Sequence, residues 1–489
     1  MPGNYLPHAA DYVRILPEII LCIFGIVLMV LEAVTSEQQK AALGTFSLVG
    51  ILAAFFGNLY AYASAGEAFH SMIIVDGFGT FFRGLVLVAG FLCTLASFGY
   101  LRRERAETGE YYALILFSMI GQCILSTAND LIMVFIGLEI SSIATYILAG
   151  FLRNDRRNNE SALKYFLLGS FATAFLLYGI AWVYGTTGTT NLDELRRIIG
   201  DPSLAPSPVV AGVAAALILV GFAFKVSAAP FQIWAPDVYQ GASSPVTAFM
   251  SVCPKAAAFA IFLRVFITAF GSLSARWAPL LWAIALLSMI VGNFAALTQS
   301  NVKRLLAYSS IAHAGYILVA FVANSQLGIA AVMFYLASYA LMNIGAFAVI
   351  SHVCSKHERY VKIDDLAGLA RREPATAALL AIFVFSLIGV PLTGGFFAKF
   401  YVFRAALDSH LVWLTVLGLA NSAIAAYYYL KIVVAMYMQE PGEAAAQLGP
   451  LSPGTRIAIW TSALGTLALG IFPSLLLPFV SQSAVSLGR

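Results

Sequence analysis

Charge is what this sequence has least of: 11% of its 489 residues are charged, against 60% hydrophobic, and the mean hydropathy is +0.85. A soluble domain of this length could not cover its surface with so few polar groups, so the bilayer must be the solvent for most of the chain. The net charge of +4 does not point to nucleic acid, because the basic residues fall mainly in short loops, where their meaning is topological. Cysteine is scarce as well. Cys22, Cys93, Cys123, Cys253 and Cys354 are scattered through apolar segments with no C-x-x-C pair. That pattern excludes a cysteine-held iron–sulfur centre or zinc site and leaves them as small packing residues. G-x-G-x-x-G and P-loop patterns are missing too, so no nucleotide site of those kinds is expected. The first apolar run, Ile15 to Leu31, lacks the basic n-region and small-residue cleavage site of a signal peptide and is expected to remain as a helix.

What the chain does have is a succession of apolar segments. A span takes roughly 20 apolar residues, and cutting the chain at its polar interruptions gives about fourteen of them. They begin near residues 15, 42, 73, 111, 130, 160, 209, 240, 277, 302, 327, 375, 410 and 455. With the N-terminus outside, the cytoplasmic loops carry Lys40; Arg102, Arg103 and Arg105; Arg153, Arg156 and Arg157; Lys303 and Arg304; Lys356, Arg359, Lys362, Arg371 and Arg372; and Arg456. The opposite loops hold little beyond Arg196, Arg197 and Arg276. Since Lys and Arg are retained in the cytoplasm, this asymmetry predicts an N-out, C-out topology with an even number of helices.

Two stretches echo each other five segments apart: SSIATYILAGF, from Ser141 to Phe151, and SSIAHAGYILVAF, from Ser309 to Phe321. An odd number of crossings makes the copies antiparallel, the inverted-repeat plan of many transporters. Pro230 and Pro236 follow the apolar run of the seventh segment, and Gly389, Pro391, Gly394 and Gly395 interrupt the twelfth. Breaks of this kind free backbone groups inside the bilayer and are tolerated only under protein or water cover; the plainer alternative is a proline kink. The expected fold is an all-α polytopic membrane protein with two inverted five-helix repeats and broken helices 7 and 12. Residues 1–110 supply three helices, 111–270 the first repeat, 271–440 the second, and 441–489 a last helix.

Basic residues left inside apolar segments are Arg83, Lys164, Lys225, Lys255, Arg264, Lys399, Arg404 and Lys431, Glu139 is the clearest acid, and His313 is deep in a helix. A charge at a helix centre costs about 2.5 to 3.5 kcal/mol on the insertion scale, so several together need a reason. Snorkelling suffices for Arg264, Arg404 and Lys431 near helix ends, and a structural ion pair for Arg83 with Asp76. Lys164 fits either reading. Lys225, Lys255 and Lys399 lie near helix centres, where burial disfavours the ammonium and brings proton release near neutrality within reach. A carboxylate about 7 Å from such a lysine, at an effective dielectric near 20, couples to it by about 2 to 2.5 kcal/mol. Glu139 acting on Lys225 would be a switch of adequate size. His313 fits a proton carrier, the packing role being its alternative.

The run KVSAAPFQIWAPDVYQGASSPVTAF, from Lys225 to Phe249, resembles the signature of the antiporter-like proton-translocating subunits of complex I and of the related multi-subunit cation/proton antiporters. GLEISSIATY around Glu139, VKRLLAYSSIAHAGY around His313 and SLIGVPLTGGFFAKF around Lys399 resemble further family motifs in the same order, so the likeness covers about residues 110 to 440. Lysine at 399 is similar to the subunit N branch of bacterial NADH-quinone oxidoreductase, where the M branch carries glutamate.

The resemblance implies a proton relay. In it Glu139 pairs with Lys225 and Lys164 modulates them, Lys255 is the central group, His313 the bridge, Lys399 the exit group, and Tyr428 lies on the exit side. It also implies no cofactor or metal on this chain, with flavin, iron–sulfur clusters and quinone in other subunits. Lateral neighbours similar to subunits K and M, a bacterial inner membrane and periplasmic termini complete the expectation. A sodium/proton antiporter subunit without redox coupling is the alternative. Its ion would need converging oxygen ligands, and few buried acids are present.

Overall fold

The computed structural model describes residues 7–36, 39–442 and 448–487. In chain order the helices are α1 (Ala9–Arg14), α2 (Leu16–Val34), α3 (Ala41–Tyr62), α4 (Gly77–Glu104), α5 (Gly109–Thr127), α6 (Leu131–Ala149), α7 (Arg156–Thr187), α8 (Leu192–Gly200), α9 (Pro208–Lys225), α10 (Trp234–Gly241), α11 (Ser244–Arg264), α12 (Ser274–Leu297), α13 (Val302–Val322), α14 (Gln326–Val353), α15 (Leu369–Arg372), α16 (Pro374–Ile388), α17 (Gly394–Asp408), α18 (Val412–Met438), α19 (Pro453–Ile471) and α20 (Leu477–Leu487). A short antiparallel hairpin, β1 (Gly66–Ala68) with β2 (Ile73–Val75), precedes α4.

Twelve helices among the described residues are long and apolar enough to cross a membrane. The two other segments read from the sequence, near 375 and 455, fall on the pair α16 and α17 and on α19. Polar caps set several starts: Asp76, Asp130 and Asn301 accept the Gly79, Ile132 and Arg304 amides at the heads of α4, α6 and α13, satisfying donors that a helix end leaves free. Helices α11, α13 and α14 are enclosed almost completely, whereas α2, α7, α12 and α18 keep an apolar face outward. That outward face is what a lipid solvent allows.

One bonding pattern occurs twice at constant spacing. Asp130 bridges to Asn191 and Asn301 to Lys362, and both members shift by 171 residues (301 − 130 and 362 − 191). The flanking amides follow: Leu131 donates to Thr190 and Leu192 to Asn129, as Val302 does to Val361 and Ile363 to Ser300. Glycines repeat it too. A Cβ on Gly121 would lie 2.4 Å from the Gly137 carbonyl of α6, and one on Gly292 would lie 2.8 Å from the Tyr308 carbonyl of α13. Only glycine permits α5 and α12 to approach their neighbours so closely.

Several buried charges are paired differently from the sequence expectation. Arg83 does not meet Asp76: its Nη2 lies 2.7 Å from Glu18 Oε1, and Asp76 takes Arg264 at 2.9 and 3.0 Å. Arg264 is therefore no snorkelling residue, being 3% exposed; the end of α11 is packed inside the bundle beside the head of α4. Lys303, expected in a loop, is fully enclosed, with Nζ 2.5 Å from Glu358 Oε2 and hydrogen-bonded to the Ala242 carbonyl. The other Glu358 oxygen accepts the Ser244 amide and hydroxyl at 2.6 and 2.7 Å. One carboxylate thus clamps the heads of α11 and α13.

Candidate functional site

Lys225 is the last residue of α9, where the helix stops in mid-chain. Residues 226–233 form the break, with a cis Ala229–Pro230 bond, and α10 resumes at Trp234. Stacking holds the break: the Tyr165 and Trp234 rings lie 4.4 Å apart, and the Trp234 Nε1 donates to the Phe224 carbonyl at 3.0 Å. The Ala229 amide donates across to Ser288 Oγ of α12 at 2.8 Å. Lys225 Nζ donates to Ser142 Oγ at 2.6 Å and to Tyr146 Oη at 3.3 Å, both on α6. Glu139 sits one turn before Ser142, half-buried, and its Oε1 is enclosed without a hydrogen-bond partner. The ammonium of Lys225 is thus taken by Ser142, one turn from Glu139 on α6.

Lys164 lies elsewhere. Its Nζ is 2.6 Å from Glu160 and 2.8 Å from Asp237 of α10, whose other oxygen is 2.6 Å from Arg304 Nη1 of α13. A three-charge bridge therefore joins α7, α10 and α13.

Lys255 follows Pro254 inside α11 and is 2% exposed. Its Nζ donates to Ser310 Oγ at 2.5 Å and to the Ser310 carbonyl at 3.0 Å. One turn further on α13, His313 Nδ1 is 2.7 Å from Tyr335 Oη and Nε2 is 3.2 Å from Tyr429 Oη, and Tyr429 also bonds Ser309. Both ring nitrogens are engaged by hydroxyls, which can donate or accept. Ser309, Ser310 and His313 thus gather α11, α14 and α18 around one stretch of α13.

Lys399 on α17 reaches back across the second break. Gly389 caps α16 at φ +95, a conformation that favours glycine, and Lys399 Nζ donates to the carbonyls of Leu387 and Ile388 at 3.1 and 2.7 Å and to Ser422 Oγ at 2.8 Å. The last carbonyls of a helix have no partner within it and carry the negative end of its dipole, so a cation is well placed there. The Tyr316 ring faces the same ammonium at 4.9 Å. Tyr428 is one link further out: it donates to Asn293 Oδ1 at 3.0 Å, and Asn293 Nδ2 donates to Tyr316 Oη at 3.1 Å.

Sequence reading found the charged members and missed their neutral partners: Ser142, Ser310, Tyr335, Tyr429, Asn293 and Ser422. The spacing of Ser309, Ser310 and His313 on one helix was the available signal. Nothing in the order of residues pointed to Tyr335 or Tyr429. Among the described residues no cluster of three or more His, Cys, Asp or Glu is arranged to hold a metal ion.

Residues 128–425 match the model of the NADH:quinone oxidoreductase/Mrp antiporter transmembrane family. The chain is 59% identical over 487 residues to NADH-quinone oxidoreductase subunit N 1 of Solibacter usitatus (strain Ellin6076), covering 100% of both. It is 36% identical to a chain of respiratory complex I from Thermus thermophilus, covering 94% of this chain and 98% of that one with a TM-score of 0.81. A chain of the Mrp complex of Dietzia sp. DQ12-45-1b has the same fold, with a TM-score of 0.85 at 21% identity over 97% and 98% of the two chains. The chain belongs to the antiporter-like membrane subunits of NADH-quinone oxidoreductase, in the subunit N branch.

Proposed function

We propose that this chain carries protons across the membrane through the series Glu139, Lys225, Lys255, His313 and Lys399, driven by quinone reduction elsewhere in the complex. The observation that carries the reading is the set of buried ammonium and imidazole groups, each held by a hydroxyl: Ser142, Ser310, Tyr335 with Tyr429, and Ser422. A hydroxyl passes a proton by accepting one and donating another, which a carboxylate clamp on the same lysine would prevent. A charge change at Glu139 shifts the proton affinity of Lys225. Lys255 and His313 carry the proton between the halves, and Lys399 releases it to the periplasm. Lys164 and Tyr428 act from the margins, through Asp237 and Asn293.

In this reading α16 with α17 and α19 also cross the bilayer, giving fourteen crossings with both termini periplasmic. Residues 111–270 and 271–440 are the two inverted halves, and the 171-residue spacing of their bridges supports that division. Subunits similar to K and M flank the chain, and flavin, iron–sulfur clusters and quinone belong to other subunits. The antiporter alternative shares the fold, and no cluster of acids among the described residues favours it.

The test is Lys255→Ala in the assembled complex. Proton translocation per electron is expected to fall, while NADH oxidation by a water-soluble acceptor, which bypasses the membrane arm, stays at the wild-type rate. An unchanged proton-to-electron ratio would remove Lys255 from the path.

A further inference from the structure

The relay accounts for the polar interior between α6 and α18. It leaves unused a cavity on the opposite side of α14, bounded by α3, α4, α14, α19 and α20, of about 450 Å³. Its walls are carbon over most of their length, with Leu85, Val88 and Leu92 on α4 facing Ala340 and Leu341 on α14. It opens at the outward surface, where Leu59 is 51% exposed, Val88 42% and Phe479 38%. In a multi-pass membrane protein that surface is covered by lipid, so the cavity is continuous with the lipid-facing surface.

Its length follows α4. Thr80 and Leu92, at its two ends, are twelve residues apart, or about 18 Å of helix, close to the ~15 Å of hydrocarbon in one leaflet. The Thr80 end is polar. Asn58 Nδ2 donates to the Thr80 carbonyl at 3.0 Å, but Asn58 Oδ1 and Thr80 Oγ1 have no hydrogen-bond partner although the residues are only 1% and 4% exposed. Buried polar groups are ordinarily paired. Asn58 lies one turn from the end of α3, so this polar end is the one nearer the bilayer edge. A helix of a neighbouring subunit does not suit the space: a cylinder about 10 Å across and 18 Å long takes about 1,400 Å³.

We propose that this cavity binds one acyl chain of a phospholipid, with the ester and headgroup region at Asn58 and Thr80. The chain then backs the face of α14 formed by Ala337, Ala340 and Leu341, opposite the face whose Tyr335 holds His313. The site does not depend on the relay reading.

Gly84 gives a clean way to fill it, because a Cβ there would have nothing closer than Asn58 Nδ2 at 3.7 Å. The intact complex is reconstituted in phosphatidylethanolamine vesicles containing phosphatidylethanolamine with a photoreactive diazirine in one acyl chain, irradiated, and the labelled peptides mapped. Label is expected on residues 80–92 and 337–344 in the wild type and in Gly84→Ala, and is expected to be lost from both in Gly84→Leu. Val88→Trp, at the exposed mouth, provides the same block should Gly84→Leu fail to assemble. The proposal is overturned if these peptides carry no label, if the label persists in the filled variants, or if the residues cross-link instead to another subunit.

Discussion

At the scale of single residues, Lys225, Lys255 and Lys399 are held by neutral acceptors, and that choice decides what each can do. A buried ammonium clamped by a carboxylate, as Lys303 is by Glu358, is a fastener, because losing its proton would strand the opposite charge. Lys255 on Ser310 and Lys399 on two helix-end carbonyls have no carboxylate partner in these bonds, so loss of a proton there would leave no charge behind. The aromatic hydroxyls are ranked by the same contacts. Tyr429 touches His313 directly, whereas Tyr428 donates to Asn293 and packs its ring 4.4 Å from that of Tyr429. Tyr429→Phe is therefore expected to lower proton translocation by about tenfold, one hydrogen bond of roughly 1.4 kcal/mol, and Tyr428→Phe by less. Measuring proton uptake per NADH in both variants checks the order; an equal or larger loss at Tyr428 would reverse it. The family resemblance pointed to Tyr428 and passed over its neighbour; adjacent residues on a helix point about 100° apart, and only the packing says which direction faces His313.

At the scale of elements, the breaks in α9–α10 and α16–α17 and the clamp at the head of α13 carry the architecture. The breaks were readable because proline and glycine in mid-segment have few other uses inside a bilayer. The clamp was not, because Lys303 lies at a segment boundary and its partner Glu358 is 55 residues away in a loop. Lys303→Met leaves Glu358 enclosed and uncompensated, and breaking a buried pair in this way costs about 3 to 5 kcal/mol. The amount of assembled complex in membranes is expected to drop severely, and the double change of Lys303→Met with Glu358→Gln is expected to recover a large part of it. Equal loss in the single and double variants would show that the pair itself is not what holds α11 to α13.

At the scale of the whole molecule, the ties between the two stretches of chain related by 171 residues include the Ala229 amide on Ser288, Lys255 on Ser310, the Lys303–Glu358 clamp on Ala242 and Ser244, and the Lys164–Asp237–Arg304 bridge. The bridge is a water-accessible tie, with side chains 29% to 41% exposed, so its pairs are worth only about 0.2 to 1 kcal/mol each. Asp237→Asn is expected to reduce proton translocation about two- to fivefold at low ionic strength. The difference from wild type is expected to vanish near 1 M salt, where the screening length is about 3 Å. A loss independent of salt would assign Asp237 a packing role instead.

Composition and order alone determined that the chain lives in a bilayer, where most spans begin and which two are broken. These follow from the cost of charge and of free backbone groups in hydrocarbon, which is local and can be read residue by residue. Tertiary structure alone decided the partners: Ser142 for Lys225 across 83 residues, Ser310 for Lys255 across 55, Tyr429 for His313 across 116, and Glu18 in place of Asp76 for Arg83. Helical periodicity says which face a residue occupies. In a bundle whose helices are apolar all round, no amphipathic stripe tells which neighbour that face will meet, so the pairing is set by lateral packing.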